Sequence, residues 1–574
     1  MTWQSRTSGI YFGPPERPIF GTLRVPHEQW SGCRVLLCPP VGFEGLFAST
    51  TLSFVASHLA EHIGACTLCL DYDGSGDSSG TDRDQRRVRA WIDSILSAIA
   101  WLDTNAPSNS PVAVVGLRAG ALLAAKACAE YGRETALGLW VPPVSGRAFV
   151  RDQRAFNALT AAQPEAGLNK ASRTFEANGY FFSDETITDL SELSLAKIAT
   201  APSPNVLLMS RSDLPPSEAI PANWRAMSTC RIVETPVADY VGLMQPPWLW
   251  DAPSESLTAI LDWTRQFAYG SRLPLGPQPL APLAEVSDGV LETSVRIGSS
   301  GLSAILTSPA SGRSSELAIL VTATFGYRIG PNRINVELAR QLALRGISSL
   351  RIDVRGVGNN RDLDSSPPPT PYDASITDDV IDAINWARAE GYARLALHGI
   401  CAGAFHAWRA AVLSRAPLRL VLANIEVFWP IDYGRADHSR YLAPAERLLA
   451  RLRSEKRLLP LLRLAAEAGR KIADRAIEYA MGSLPTFLHP SGLPAVIYTL
   501  ARNGTSAHFI FNGGDDGIGR YRRLTGLNRL LHEAHGVTVM EVIDGPDHSF
   551  TSCRSREQLI DAVVADLLRW SKAC

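Results

Sequence analysis

Short apolar runs recur along the chain, and each is separated from the next by turn residues and a stretch of helical spacing. Runs of about 4–8 aliphatic and β-branched residues are typical of strands buried on both faces of a parallel sheet. The stretches between them, such as Ala56–Ile63 and Trp91–Trp101, place apolar residues at helical intervals. The alternation predicts an α/β fold, with a mostly parallel sheet and helices on both of its faces. The predicted strands are Arg34–Leu37, Thr67–Asp71, Val112–Val115, Val206–Met209, Leu317–Val321, Ser348–Asp353, Leu395–His398 and Phe509–Phe511.

The two halves of the sequence repeat each other. An offset of 283 residues aligns Ile19–Pro26 with Leu302–Pro309, and the same offset aligns Gly116–Ala121 with Gly399–Ala404. Because the offset stays constant from one aligned pair to the next, we predict a tandem duplication of one domain type.

The chain is also too long for one compact core. It has 574 residues, whereas single cores stop growing at about 250–300 residues. A proline-rich stretch at residues 272–284 continues neither a helix nor a central strand. We therefore predict one domain at 1–271 and a second at 285–574, joined by this stretch as a semi-stiff linker.

Charge and composition exclude several classes of protein. The 56 Lys and Arg residues balance 57 Asp and Glu residues, so a dedicated nucleic-acid binder is not expected. No stretch of about 18 apolar residues predicts a membrane span, and the first residues lack the layout of a secretory signal. The nine cysteines are scattered, and Cys66-x-x-Cys69 has no second pair at ligand spacing. We expect a reduced, cytoplasmic protein without a metal or other cofactor.

A candidate nucleophile lies in the second half. Gly399-Ile-Cys401-Ala-Gly403 follows an apolar strand and precedes a helix. This is the nucleophile-elbow pattern G-x-S-x-G with cysteine in place of serine. The glycines let the chain make a tight turn, and the N-terminus of the following helix favours a thiolate and offers backbone N–H groups to an oxyanion. The alternative is a small cysteine that only packs.

Two further groups complete a candidate triad in the expected chain order, acid and then base. The acid should follow a late strand, where Asp515 and Asp516 stand. Asp515 is preferred because it lies as far from its strand as Asp213 does in the first half, and a solvated turn carboxylate is the alternative for both. The base should precede the last helix, where His548 stands.

An oxyanion hole needs two donors. The backbone N–H of Ala402, next to the nucleophile, is one candidate. The other should come from the loop after the first central strand, and either Thr324 or Phe325 can supply it.

The first half lacks this chemistry. Its elbow position is Arg118, whose guanidinium stays protonated and cannot act as a nucleophile. No histidine follows His62 until His398, so this domain has no base downstream of Asp213. Arg118 is expected either to bind an anion or to pair with a neighbouring acid. The domain itself is expected to be inactive and to serve as a scaffold, a dock for a carrier protein or a wall of the pocket.

A long insertion, residues 425–505, follows the elbow of the second half and is predicted to be a helical lid. Lids exclude water and shape an acyl site. Its basic residues are candidate contacts for an acidic carrier domain or for coenzyme A phosphates, and a solvated helix face is the alternative. They include Arg447, Arg451, Arg453, Lys456 and Arg457.

With these motifs in place, the chain resembles two fused α/β-hydrolase-fold proteins. More closely, each half resembles the bacterial exosortase-system-associated hydrolases. In the second half the resemblance rests on Gly346–Asp353, the elbow, Asn512–Ile518 and Asp547–Thr551; the first half departs from it at Arg118. The resemblance implies an acyl-group hydrolase or transferase and assigns the triad to Cys401, Asp515 and His548. It fixes no substrate, because the fold carries many functions.

The sequence therefore predicts a Cys-His-Asp acyl enzyme that acts on an ester or thioester through a covalent acyl-cysteine. It either hydrolyses the acyl group or transfers it to an alcohol or amine, as in natural-product or polysaccharide assembly. An acyl carrier protein or coenzyme A thioester is the candidate donor. A non-catalytic scaffold of two degenerate folds is the alternative. A dinucleotide-binding oxidoreductase is disfavoured, because Gly74-x-Gly76 lacks the third glycine.

Overall fold

A computed structural model describes residues 5–27, 29–160, 174–214, 220–269, 273–274, 282–298, 300–323, 326–360, 368–428, 480, 493–528, 533, 537–543 and 548–572. It confirms the predicted α/β fold class: the chain forms two large, mostly parallel sheets with helices on both faces. Most of the predicted lid, all of its named basic residues and most of the linker lie outside the described residues. No helix in the described part is long and apolar enough to cross a bilayer.

The first domain has an eight-stranded sheet in the order β1-β2-β5-β4-β6-β7-β10-β11. Its inner strands are parallel and two antiparallel pairings close one edge. The strands of this half are β1 Ser5–Phe12, β2 Ile19–Pro26, β3 Gln29–Trp30, β4 Arg34–Cys38, β5 Cys66–Leu70, β6 Val112–Leu117, β7 Thr135–Trp140, β8 Phe175–Ala177, β9 Tyr180–Phe182, β10 Asn205–Arg211 and β11 Arg231–Val237. The helices are α1 Phe43–His58, α2 Arg87–Asn105, α3 Ala119–Tyr131, α4 Gly146–Thr160, α5 Asp184–Glu192, α6 Ala222–Arg225 and α7 Ser254–Thr264.

The second domain repeats this order with one more edge strand, β13-β14-β15-β17-β16-β18-β19-β20-β21. Its strands, preceded by the short linker strand β12 Leu273–Pro274, are β13 Leu283–Ser287, β14 Val290–Ile297, β15 Leu302–Pro309, β16 Glu316–Val321, β17 Ser348–Ile352, β18 Arg394–Ile400, β19 Arg419–Ala423, β20 Ser506–Asn512 and β21 Thr538–Ile543. Its helices in the described residues are α8 Ile334–Ala343, α9 Ala374–Ala389, α10 Ala402–Ser414, α11 Leu493–Arg502, α12 Asp516–Thr525 and α13 Cys553–Lys572.

Each sheet separates two apolar cores. Along β4, Leu36 faces the core under α2 and α3, whereas Val35 and Leu37 face the core under α1 and α7. Side chains of a strand alternate between faces, so a strand buried on both sides reads as an unbroken apolar run. The predicted inner strands all appear, and each of their ends lies within three residues of the prediction. The antiparallel strands β1, at the edge of its sheet, and β14, next to the edge strand β13, were not predicted, because partly exposed strands lack this continuous apolar signal.

The structure also shows the repeat. The two segments aligned in the sequence, Ile19–Pro26 and Leu302–Pro309, are the strands β2 and β15, which occupy the same place in their sheets. Of the predicted linker, Leu273–Pro274 pairs with β3 of the first domain, and Leu283 already belongs to β13. The division into domains 1–271 and 285–574 stays a proposal that agrees with the two sheets.

A buried ionic cluster joins the two domains. Asp77 of the first domain accepts from Arg328 Nε at 2.8 Å and pairs through its other oxygen with Arg351, both from the second domain. Arg328 also binds Asp353 at 2.6 Å, and Arg351 binds Glu292 at 2.7 Å. These side chains are at most 2% exposed. Because removing one partner of such a pair leaves a buried charge uncompensated, the cluster fixes the domains against each other.

Asp71 is a second buried carboxylate at this interface, and we expect it to make the stability of the protein depend on pH. Burial and the neighbouring Asp77 raise the pKa of Asp71 to about 7 from 3.8. Folding thus favours its protonated form, so its contribution to stability is fully present below pH 3.8 and is lost as pH rises to about 7. We expect Asp71→Asn to raise the Tm by a few °C at pH 8 and to match the parent near pH 4. The exposed Asp93→Asn is the control for thermal unfolding across this range, and a gain independent of pH would contradict the assignment.

Candidate active site

The candidate nucleophile stands on a strained turn between β18 and α10. Cys401 has φ 54° and ψ −118°, a left-handed conformation that residues other than glycine rarely adopt. Two glycines make the turn feasible. A Cβ on Gly399 would lie 2.4 Å from the backbone of Gly403, and a Cβ on Gly403 would lie 2.4 Å from the carbonyl oxygen of Val321. The turn therefore holds the thiol at the carboxyl edge of the sheet and at the N-terminus of α10.

The structure brings His548 and Asp515 together. His548 Nδ1 is hydrogen-bonded to Asp515 Oδ2. The other oxygen of Asp515 accepts from Gly517 N–H at 2.7 Å, so the carboxylate caps α12 while it faces the imidazole. The runner-up, Asp516, is exposed on the first turn of the same helix.

The environment of His548 favours its protonated form. Burial lowers its pKa, but the charge of Cys401 and the hydrogen bond with Asp515 outweigh burial and raise the pKa well above 6.5. Cys401 and His548 line the same cavity. The imidazole can therefore hold a proton beside the sulfur, as an imidazolium–thiolate pair requires.

Asn424 fixes the loops on either side of this pair, and sequence reasoning missed it. Its Nδ2 donates to the carbonyl of His548 at 2.7 Å, and its Oδ1 accepts from Asn512 N–H at 2.7 Å. Asn424 is fully buried and adopts φ 46° directly after β19. An asparagine at the end of a central strand was the available signal, since asparagine tolerates the left-handed region.

Glu426 adds a second carboxylate, with Oε1 3.8 Å from His548 Nδ1. Among the described residues, one group of potential metal ligands lies close together: Glu426, Asp515 and His548. Neither Cys66 nor Cys69 belongs to this group. His548 Nδ1 already binds Asp515 in this group, so one imidazole has two carboxylates within 4 Å of its Nδ1.

Tyr372 was also not predicted. Its hydroxyl lies 3.9 Å from Cys401 Sγ. The loop that carries it is held by His406, whose Nε2 is 2.9 Å from the carbonyl oxygen of Pro371 and whose Nδ1 is 2.8 Å from Thr377 Oγ1. Burial lowers the pKa of His406 to about 4, so this histidine is neutral and positions the loop. No local sequence pattern marks a tyrosine that reaches the elbow from a separate loop.

The candidate oxyanion donors are described only in part. Ala402 is 6% exposed and lines the cavity beside Cys401. Thr324 and Phe325 lie outside the described residues. On either side of them in the chain, Asn335 Nδ2 donates to Thr322 Oγ1 at 2.9 Å and to the carbonyl of Arg328 at 3.3 Å.

The first domain repeats the elbow without the chemistry. Arg118 has φ 54° and ψ −123°, nearly the angles of Cys401. Its guanidinium pairs with Glu44 at 3.1 Å and lies 3.6 Å from Asp152, as expected for the paired alternative. Asp213 is 60% exposed and pairs with Arg211, and the ring of Tyr240 lies 5.8 Å from the Arg118 guanidinium.

The two adjacent aspartates allow a matched test of the acid. We expect Asp515→Asn to slow acylation of Cys401 by about 10⁴-fold, because an amide leaves the imidazole in the wrong tautomer. Asp516→Asn removes a neighbouring charge of the same kind and should change the rate less than about threefold, since exposed charges act weakly. Single-turnover kinetics with an activated acyl ester measures both, and equal losses would contradict the preference for Asp515.

No protein-family model and no curated protein matches this sequence. Solved structures match one half of the chain. An α/β serine hydrolase without a lid from Xanthomonas campestris has 16% identity and a TM-score of 0.28, over 49% of this chain and 96% of its own. A putative dienelactone hydrolase from Klebsiella pneumoniae has 14% identity and a TM-score of 0.29, over 48% and 97%. A dienelactone hydrolase from Anabaena variabilis has 13% identity and a TM-score of 0.31, over 48% and 96%. At these identities and TM-scores the likenesses identify neither a substrate nor a mechanism.

Proposed function

We propose that the second domain is a cysteine-dependent acyl enzyme that acts on an ester or thioester, with Cys401 as nucleophile, His548 as base and Asp515 as the acid that orients it. The observation that carries the proposal is the position of Cys401 on the elbow, in one cavity with a histidine hydrogen-bonded to a buried aspartate. The first domain, with Arg118 at its elbow, is proposed to be catalytically inactive.

The proposed reaction has two steps. His548 Nε2 takes the thiol proton while Asp515 holds Nδ1, and the thiolate attacks the acyl carbonyl. Backbone N–H groups, Ala402 among them, stabilise the tetrahedral oxyanion, and the Tyr372 hydroxyl is close enough to assist. The leaving group departs with the proton from His548, which leaves an acyl-cysteine thioester. The same imidazole then deprotonates water, an alcohol or an amine, which attacks the thioester and releases Cys401.

Hydrolysis and acyl transfer would use the same residues of the protein. The two reactions differ only in the acceptor that attacks the acyl-cysteine. A thioester intermediate stays reactive towards alcohols and amines, so transfer is possible wherever water is excluded. A carrier-bound or coenzyme A-bound donor, and the part of the basic lid in recognising it, stay predictions. So do the link to exosortase systems and the place in natural-product or polysaccharide assembly.

The test is acylation of the full-length protein by a panel of activated acyl thioesters, with intact mass and peptide mapping as the readout. We expect an acyl adduct on Cys401. Added alcohols or amines then compete with water: formation of an acylated acceptor indicates a transferase, and free acid alone indicates a hydrolase. No adduct over the whole panel, together with an unreactive Cys401 towards thiol alkylators, would replace the proposal with the non-catalytic scaffold.

A further inference from the structure

One wall of the cavity at Cys401 comes from the first domain. Trp248 lines this cavity together with residues of the second domain. It belongs to a single helical turn, Pro247–Leu249, in the segment between β11 and α7. In the second domain the corresponding segment, between β21 and α13, carries His548. In the second domain this segment carries the proposed base. In the first domain it carries a tryptophan that lines the cavity of the second domain.

Buried contacts hold the turn that presents Trp248. The indole N–H of Trp250 donates to Thr51 Oγ1 at 2.9 Å, and its ring packs edge-on against Phe54 at 5.1 Å. Thr51 Oγ1 in turn donates to the carbonyl of Leu243 at 2.9 Å. These contacts attach the segment to α1 at both ends of the turn.

Helix α1 is itself packed on the second domain. Leu46 and Phe47 form one apolar cluster with Tyr327 and Ile329, which follow the loop of the candidate oxyanion donors. The turn that carries Trp248 is thus joined to the second domain by a continuous set of buried contacts. A large aromatic side chain on a turn held in this way forms one boundary of the cavity.

The remaining lining defines the chemistry that the cavity accepts. Among the described residues that line it, none is Lys, Arg, Asp or Glu, and the charge of the His548 imidazolium already faces Asp515 and Cys401, so no further charge there compensates a charged acyl chain. The cavity has a volume of about 60 Å³, and a water-sized group needs about 10–15 Å³ of such space. An acyl chain of a few carbon atoms fills it. The apolar lining residues are Val321, Ala323, Pro331, Pro371 and Ile400.

We propose that Trp248 of the first domain closes the acyl pocket of the second domain and restricts the substrate to short, uncharged acyl groups. This inference rests on the proposed function. It gives the first domain a part in substrate selection, because a domain with no nucleophile at its elbow determines the length of chain that the other domain accepts.

The test compares acylation of Cys401 by acetyl, butyryl, hexanoyl, decanoyl and succinyl thioesters of one small thiol. We expect the parent to react fastest with acetyl or butyryl and slowly with decanoyl and succinyl. Trp248→Ala should raise the rate with decanoyl relative to acetyl by about tenfold or more, in the range that pocket size contributes to specificity. Trp248→Phe should fall between them, and succinyl should stay slow in every variant.

The matched control is Leu249→Ala, a large-to-small change on the same turn at a side chain that is 42% exposed. It should keep the parent profile. If thermal unfolding shows that Trp248→Ala is not folded, the ratio of decanoyl to acetyl rates is compared between the parent and Trp248→Phe. An unchanged ratio of decanoyl to acetyl in the folded Trp248 variants overturns the inference while the proposed function stands. No acylation of the parent by any thioester overturns the proposed function itself.

Discussion

Cys401→Ala is expected to lose the acyl adduct completely, and His548→Ala to slow its formation by about 10⁴-fold or more. The first change removes the atom that forms the covalent bond. The second removes the group that takes the thiol proton and returns it to the leaving group. Losses of this size are typical of triad residues that act as one unit. Rapid-quench acylation followed by intact mass measures both rates in the full-length protein.

Other thiols of the chain provide the control for this experiment. Cys230 is partly exposed and lies in the first domain, away from any elbow. Cys230→Ala should acylate at the parental rate, with the adduct still on Cys401. An adduct that persists in Cys401→Ala, or that maps to Cys230, would show simple chemical modification of exposed thiols and would contradict the proposed nucleophile.

Asp77→Asn is expected to lower the free energy of unfolding by about 3–5 kcal/mol, the cost of leaving buried partners uncompensated. The substitution keeps the volume and removes the charge that faces both Arg328 and Arg351. Its effect should reach the active site, because Arg328 follows the candidate oxyanion donors closely in the chain and binds Asp353 through both its backbone N–H and its guanidinium. We therefore expect slower acylation of Cys401 in the variant that remains folded. Chemical denaturation and single-turnover acylation measure the two effects.

The control is Asp262→Asn, which breaks an ion pair with Arg265 in which both side chains are about 60% exposed. Pairs of this kind contribute about 0–1 kcal/mol. If Asp77→Asn costs no more than Asp262→Asn, the buried cluster does not hold the domains together. If Asp77→Asn lowers the stability as expected but leaves the acylation rate of Cys401 unchanged, the interface does not influence the active site.

Local pattern was sufficient to predict the repeat, most of the inner strands and the chain order of the candidate nucleophile, acid and base; the inner strands β7 and β19 were missed. A strand buried on both faces must be apolar throughout, so β4 and β16 could be read from a few residues. The elbow could be read because glycine is required where the backbone of α10 passes β16, as Gly403 shows. Acid and base followed from their positions after β20 and before α13. The choice between Asp515 and Asp516 depended on an alignment of the halves, and the geometry places Asp515 on His548.

Contacts between distant segments could not be predicted in this way. Tyr372 reaches Cys401 from a loop before α9, and Asn424 joins the segments that carry Asp515 and His548. Neither has a periodic or motif signal, because each acts through packing with residues far away in the chain. The same holds for Trp248, whose own domain gives no reason for an aromatic residue at this place.

The sequence by itself determined two copies of one α/β fold and a complete set of candidate catalytic groups in the second copy alone. These follow from side-chain periodicity and from the steric demands of a tight turn, which depend on residues close together in the chain. Only the tertiary structure decided how the copies meet. The arginines of the second domain find their counter-charge on Asp77 of the first, and Trp248 of the first lines the cavity of the second. Buried charges must be paired, and the shape of a cavity depends on every residue that packs around it. Both depend on residues that are distant in the sequence and come together only when the domains pack.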